Sequence, residues 1–164
     1  MATLMVNGVA SVVDAPEQTP LLDILRHELG LTSARLGCGL GQCGACHVMV
    51  DSQSVPACDT PLWSVQGKHV LTLEVARSDD ACVGTHLVLR ALQEAFVHEQ
   101  AAQCGFCTSG ILMSAAALLR QTIEPSVAQI HAALDRHLCR CGAHLRVVRA
   151  VQSAALALQK GGVA

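Results

Sequence analysis

Two kinds of apolar spacing divide the chain. In TLMVNGVASVV (3–13) apolar positions alternate as in a half-buried strand, and Asn7-Gly8 sits mid-way. That pair accepts positive φ at both turn positions, so the stretch predicts a β-hairpin. TPLLDILRHELG (19–30) has a helical period, with Leu21, Leu22, Ile24, Leu25 and Leu29 on one face. Thr19 is the expected N-cap, Pro20 suits the first helical position and Gly30 the stop. CHVMVDSQSVPAC (46–58) predicts strand, turn, strand, and KHVLTLEV (68–75) another strand.

After ARSDDACVG (76–84), a short polar connection, the period becomes helical. THLVLRALQEAFVHEQ (85–100) repeats apolar residues at 87, 88, 91, 92, 95 and 96. TSGILMSAAALLRQ (108–121) is a second helix. Glu124-Pro125-Ser126 breaks the chain, and Ser126 is placed to cap VAQIHAALDRHL (127–138). HLRVVRAVQSAALALQ (144–159) is the last, ending at Gly161-Gly162. The expectation is an α+β chain, with strands around one helix in residues 1–77 and a four-helix domain in residues 82–160. Four helices alone imply no function.

A chain of 164 residues is one ordinary domain or two small ones. A domain of roughly 80 residues buries only about 60% of its unfolded surface and usually needs metal or disulfide help. With 51% hydrophobic and 15% charged residues, the composition opposes disorder and points to a covered subunit face. A net charge of −2, no Tyr, and only Trp63, Phe96 and Phe106 as aromatics give no footing for nucleic acid. The longest apolar run, ILMSAAALL (111–119), is interrupted by Ser114 and falls far short of the ~20 residues of a transmembrane span. The N-terminus has neither signal-peptide character nor a twin-arginine, so a cytoplasmic location is expected, with co-export beside a partner left open.

Nine cysteines in such a compartment should be reduced. Seven cluster at 38/43/46, 104/107 and 139/141; Cys58 follows the first group and Cys82 stands alone. Cys38-x4-Cys43-x2-Cys46 is the spacing of a plant-type [2Fe–2S] ligand loop, and Cys58 fits the fourth place. Four thiolates, two ferric ions and two sulfides leave about −2 charge. Backbone N–H groups must reach those sulfurs, which glycine permits, and Gly37, Gly39, Gly41 and Gly44 supply it. Zinc sites more often use paired C-x2-C knuckles. His47 points to the opposite strand face from Cys46 and is read as a flanking side chain.

Cys104 and Cys107 open the second predicted helix, where free N–H groups and positive potential suit an anion. Cys139 and Cys141 converge only if the chain turns, which Gly142 permits. Local chemistry leaves an iron–sulfur centre or a zinc clip open here. The neighbouring loop favours iron–sulfur.

With GCGLGQCGAC (37–46), Cys58, QCGFCTSG (103–110) and LCRCG (138–142) in this order, the chain resembles the small iron–sulfur subunit of the xanthine oxidase family of molybdenum hydroxylases. The resemblance implies a β-grasp ferredoxin-like domain followed by a helical domain, each with a [2Fe–2S] cluster. It implies a large partner subunit holding molybdopterin cytosine dinucleotide. The electron acceptor it implies is a cytochrome c or a flavin subunit. GLGQCGAC looks more like the relatives that use a cytochrome. Gln103 matches a position whose amide contacts the pterin, and Cys139 the ligand nearest it. Arg140 is read either as offsetting cluster charge or as a plain surface residue. Gly142-Ala143-His144 replaces the family's usual Thr-Gly-Tyr, a departure that touches packing and pterin-side contacts rather than ligands. Cys82 is expected to be a buried free thiol.

The chain shows no nucleophile–base pair or phosphate loop, so substrate chemistry belongs elsewhere in a complex. A free two-cluster carrier and a zinc-stabilised interaction module are the alternatives.

Overall fold

The structure is a computed structural model and describes residues 1–77 and 83–161. Most of the polar connection ARSDDACVG, with Cys82, lies outside the described residues. Among the described residues the first half forms a five-stranded mixed sheet in the order β2-β1-β5-β3-β4. β1 (Ala2–Val6) and β2 (Val9–Val13) are antiparallel, joined through Asn7 (φ 52°) and Gly8 (φ 84°). β3 (His47–Val50) and β4 (Gln53–Pro56) form the second hairpin. β5 (His69–Leu71) runs parallel to β1 and antiparallel to β3. This is the β-grasp arrangement of a ferredoxin-like domain.

Three expectations change. Thr19 makes no side-chain cap: Pro20 is the N-cap residue, and the Leu21 N–H is taken by the Thr60 carbonyl at 2.8 Å. α1 (Leu21–Asp23) then widens into a π-helical stretch, Ile24–Glu28, that still buries Leu21, Leu22, Ile24 and Leu25. The strand at KHVLTLEV stops at Leu71, and Leu73–Arg77 coils as a 3₁₀ turn. There the Thr72 N–H pairs with the Asn7 side chain rather than a neighbouring strand. The third helix of the second half ends at Leu134 rather than Leu138, because the Leu138 N–H is committed to the Cys43 carbonyl at 3.0 Å.

The helical half consists of α2 (Val83–His98), α3 (Thr108–Gln121), α4 (Val127–Leu134) and α5 (His144–Lys160). Ser126 caps α4 in a reciprocal box with Gln129. α2 packs on α3 and α5, and α3 lies against β3 and α4. α3 is buried from Ser109 to Ala117, as expected of a helix enclosed on every side.

β3 connects the two halves. Its residues are all buried, and alternation divides them. Val48 and Val50 join Leu4, Leu22 and Leu25 in the first core, whereas Met49 joins Leu92, Ile111 and Val151 in the second.

Candidate metal centres

The loop from Gly37 to Cys46 leaves the α1 region and feeds β3; Cys58 sits in the 3₁₀ turn after β4. Backbone N–H groups point at its sulfurs. Leu40 and Gln42 each donate to Cys38 Sγ at 3.3 Å, Cys38 to Cys43 Sγ at 3.3 Å, and Gly41 to Cys58 Sγ at 3.4 Å. Gly37 is required by close approach, since a Cβ there would lie 2.6 Å from Cys43 Sγ. Gly44 (φ +77°) is required twice over: its backbone is left-handed, and a Cβ would enter the His137 ring.

The thiols lie in pairs. Cys38 is beside Cys43, and Cys46 beside Cys58. The Leu40 and Gln42 N–H groups lower the exposed Cys38 thiol to about 7. Burial pushes Cys46 up to about 12, with Cys58 and Cys43 adding repulsion. Such a thiol ionises at neutral pH only if a cation compensates it, as a bound metal does.

The second set repeats the pattern. Cys107 is the N-cap residue of α3, Cys104 precedes it, and Cys139 and Cys141 lie between α4 and α5. Cys104 sits beside Cys141, and Cys107 beside Cys139. Burial pushes Cys107 up to about 11. Burial also acts to raise Cys139, but N–H groups of Ala143, Cys141 and Gly142 and the Cys107 thiol outweigh it and leave Cys139 lowered. The turn at Gly142 (φ +72°) brings Cys139 and Cys141 round together. Gln103 donates from Nε2 to the Cys141 carbonyl at 3.3 Å and remains exposed. Arg140 is exposed.

Among the described residues, no three His, Cys, Asp or Glu side chains are placed to hold a single metal ion. Both sets are instead two pairs of thiols, a donor arrangement that fits two irons with two cysteines each. Backbone donors aimed at sulfur and buried thiols in need of a cation fit the same group.

The chain matches the model of a 2Fe-2S iron-sulfur cluster binding domain over residues 4–83 and that of a [2Fe-2S] binding domain over residues 72–152. It is 44% identical over 153 residues to one subunit of the nicotinate dehydrogenase of Pseudomonas putida, covering 93% of each chain. The chain belongs to the [2Fe–2S] small subunits of the molybdenum hydroxylase family. The alpha subunit of isoquinoline 1-oxidoreductase from Brevundimonas diminuta is 41% identical over 156 residues, covering 94% of this chain and 97% of that one. Aldehyde oxidoreductase from Desulfovibrio desulfuricans superposes with a TM-score of 0.86 at 38% identity, over 99% of this chain and 17% of that one. This small subunit is thus part of a molybdenum-dependent oxidoreductase, built on an α+β fold whose ferredoxin-like domain precedes a helical one. Among the described residues no helix is long and apolar enough to cross a membrane.

Spacing does not signal what lies between the two thiol sets. The His47 and His137 rings meet edge to face, their centroids 4.8 Å apart. Burial holds both imidazoles below the usual histidine range, His47 further through Arg136 and His137, at about 3, further through His47. The Ser114 hydroxyl of α3 lies 3.1 Å from His47 Nδ1, 2.7 Å from His137 Nε2 and 2.6 Å from Ser54 Oγ. Gly110 of α3 touches the Gly44 carbonyl so closely that no Cβ fits between them. Arg35 places its guanidinium 5.5 Å from the centre of the Phe106 ring. The one sequence signal was Ser114 itself, a polar break in an apolar helix run.

Proposed function

We propose that this subunit carries electrons from the molybdenum centre of a large partner subunit to an external acceptor, through two [2Fe–2S] clusters. Residues 1–77 would hold one on Cys38, Cys43, Cys46 and Cys58. Residues 82–160 would hold the other on Cys104, Cys107, Cys139 and Cys141. The observation that carries this reading is the repetition of the same two-pair thiol arrangement in two halves that touch. When bound, such clusters take up and release one electron at a time. The chain's own residues hold the thiols in pairs, aim N–H groups at their sulfurs, keep Cys46 away from water and half-bury Cys107.

Gln103 and Cys139 are the residues assigned to the side of the molybdopterin cytosine dinucleotide, which the large subunit would hold. The half-exposed Phe106 and the exposed Leu138 flank that second set and offer apolar surface to the partner. The acceptor, a cytochrome c or a flavin subunit, is assigned to the first thiol set, where Leu36, Cys38 and Leu40 are exposed. The cytoplasm is the compartment that suits eight reduced thiols.

The test is made on the complex purified with its large subunit. About four irons and equal acid-labile sulfide per chain, with two distinct [2Fe–2S] signals in low-temperature EPR after reduction, are expected. A colourless, zinc-bearing protein, or a chain that purifies without a molybdopterin subunit, would overturn the reading.

A further inference from the structure

We propose that Ser114, which carries neither thiol nor charge, is the positioning residue that sets the spacing between the two thiol sets. The inference rests on the two-cluster reading above. Ser114 is 3% exposed, and its hydroxyl meets groups from three other segments. His47 directly follows Cys46; Ser54 is on β4, which leads into Cys58; His137 lies two residues before Cys139. Ser114 itself is on α3, whose N-cap residue is Cys107. The four segments joined at this hydroxyl therefore lead to one thiol pair of each set, Cys46 with Cys58 and Cys107 with Cys139.

The His137 ring shows why the hub matters for distance. Its Nε2 is 2.7 Å from Ser114 Oγ, and its Nδ1 has no partner among the described residues. Ser114 is thus the polar anchor of that ring. The ring in turn lies against Gly44, between Cys43 and Cys46, too closely to admit a methyl group. The next residue, Leu138, donates its N–H to the Cys43 carbonyl. Removing the hydroxyl frees the ring from α3 and loosens the Gly44 loop against the segment carrying Cys139. A transfer between the sets moves one electron and no atom, so distance and its uniformity are all Ser114 contributes.

The experiment is Ser114→Ala in the assembled complex. Two readouts are the splitting of the EPR signals by spin–spin interaction when both clusters are reduced, and the rate of electron transfer between them after rapid mixing. Expected are unchanged iron and sulfide, both signals present, a smaller and broader splitting, and a rate lower by on the order of tenfold. Ser54→Ala removes one leg of the hub and should shift both readouts the same way by less. A Ser114→Ala complex with full iron and the splitting and rate of the parent overturns the proposal, even if its unfolding temperature falls. If Ser114→Ala does not retain iron, Ser54→Ala decides by the same readouts: altered splitting supports the positioning role, parental splitting ends it. A parent complex lacking two [2Fe–2S] signals would instead defeat the functional reading itself.

Discussion

Three of the first four thiols sit on one ten-residue loop, Gly37–Cys46, whereas the second four come from two places separated by 31 residues, 108–138. The loop supplies its own donors: Leu40, Gly41 and Gln42 turn their N–H groups onto sulfur. The helical set takes its donors from where elements begin and end. Phe106 serves Cys104 ahead of α3, while Cys141, Gly142 and Ala143 serve Cys139 ahead of α5. Both routes lead to the same pairing, and in each set burial pushes one thiol up, Cys46 or Cys107, while backbone N–H groups lower Cys38 in the first set and Cys104 and Cys139 in the second. A short loop reaches it through backbone conformation, so glycine controls it. The helical set reaches it through packing, so the placement of α3, α4 and α5 controls it.

The sharpest test of that independence is Cys46→Ser beside Cys107→Ser. Each should lower iron from about four to about two per chain and leave the EPR signal of the other half intact. Loss of both centres in either variant would mean that the halves assemble as one.

Gly110→Ala probes the seam between the halves. Its new methyl would collide with the Gly44 carbonyl, a backbone atom of the first loop with nowhere to retreat. A loss of about 3 kcal/mol is expected in denaturant unfolding, together with disturbance of both centres. A substitution of similar size at Gly67, where nothing lies within 4 Å of the added Cβ, should disturb neither centre, although its φ of +70° will cost some stability.

Glu74 ties the 3₁₀ turn to the segment ahead of the first loop, accepting from both the N–H and the hydroxyl of Ser33. Burial acts to raise its pKa, but the Ser33 and Thr72 hydrogen bonds prevail and leave it lowered. A lowered carboxylate stabilises the fold above its unfolded pKa, and the contribution disappears as pH falls through the folded value. Glu74→Gln should therefore cost about 1–2 kcal/mol at pH 7, with the gap to the parent closing below about pH 4 in urea titrations.

The smallest effect is expected at Arg35. It lies two residues before Gly37 and over Phe106, so it joins the two loops from outside. Arg35→Gln should cost about 0.5–1 kcal/mol in thermal unfolding, and Arg35→Lys less.

Much of the chain was legible from its residues. The Asn7-Gly8 hairpin, the full extent of α3 and the Ser126 cap follow from turn chemistry and period. Each depends on neighbours in sequence, so each can be read without knowing the rest of the fold. The misreadings have the opposite cause. Thr19 lost its capping place because Thr60, forty-one residues away, took the Leu21 N–H. The end of α4 was set by Cys43 and not by its own period.

The sequence by itself determined that three thiols would share a tight loop with a fourth following it, that glycines would let backbone reach sulfur, and that strands would precede helices. These are properties of spacing and backbone freedom within a few residues. Only the tertiary structure decided which thiols stand side by side and how α3 lies on β3. It also decided that two buried histidines would meet at a serine between the two sets. Such contacts join groups far apart along the chain, where close packing and the burial of polar atoms set position and period carries no information.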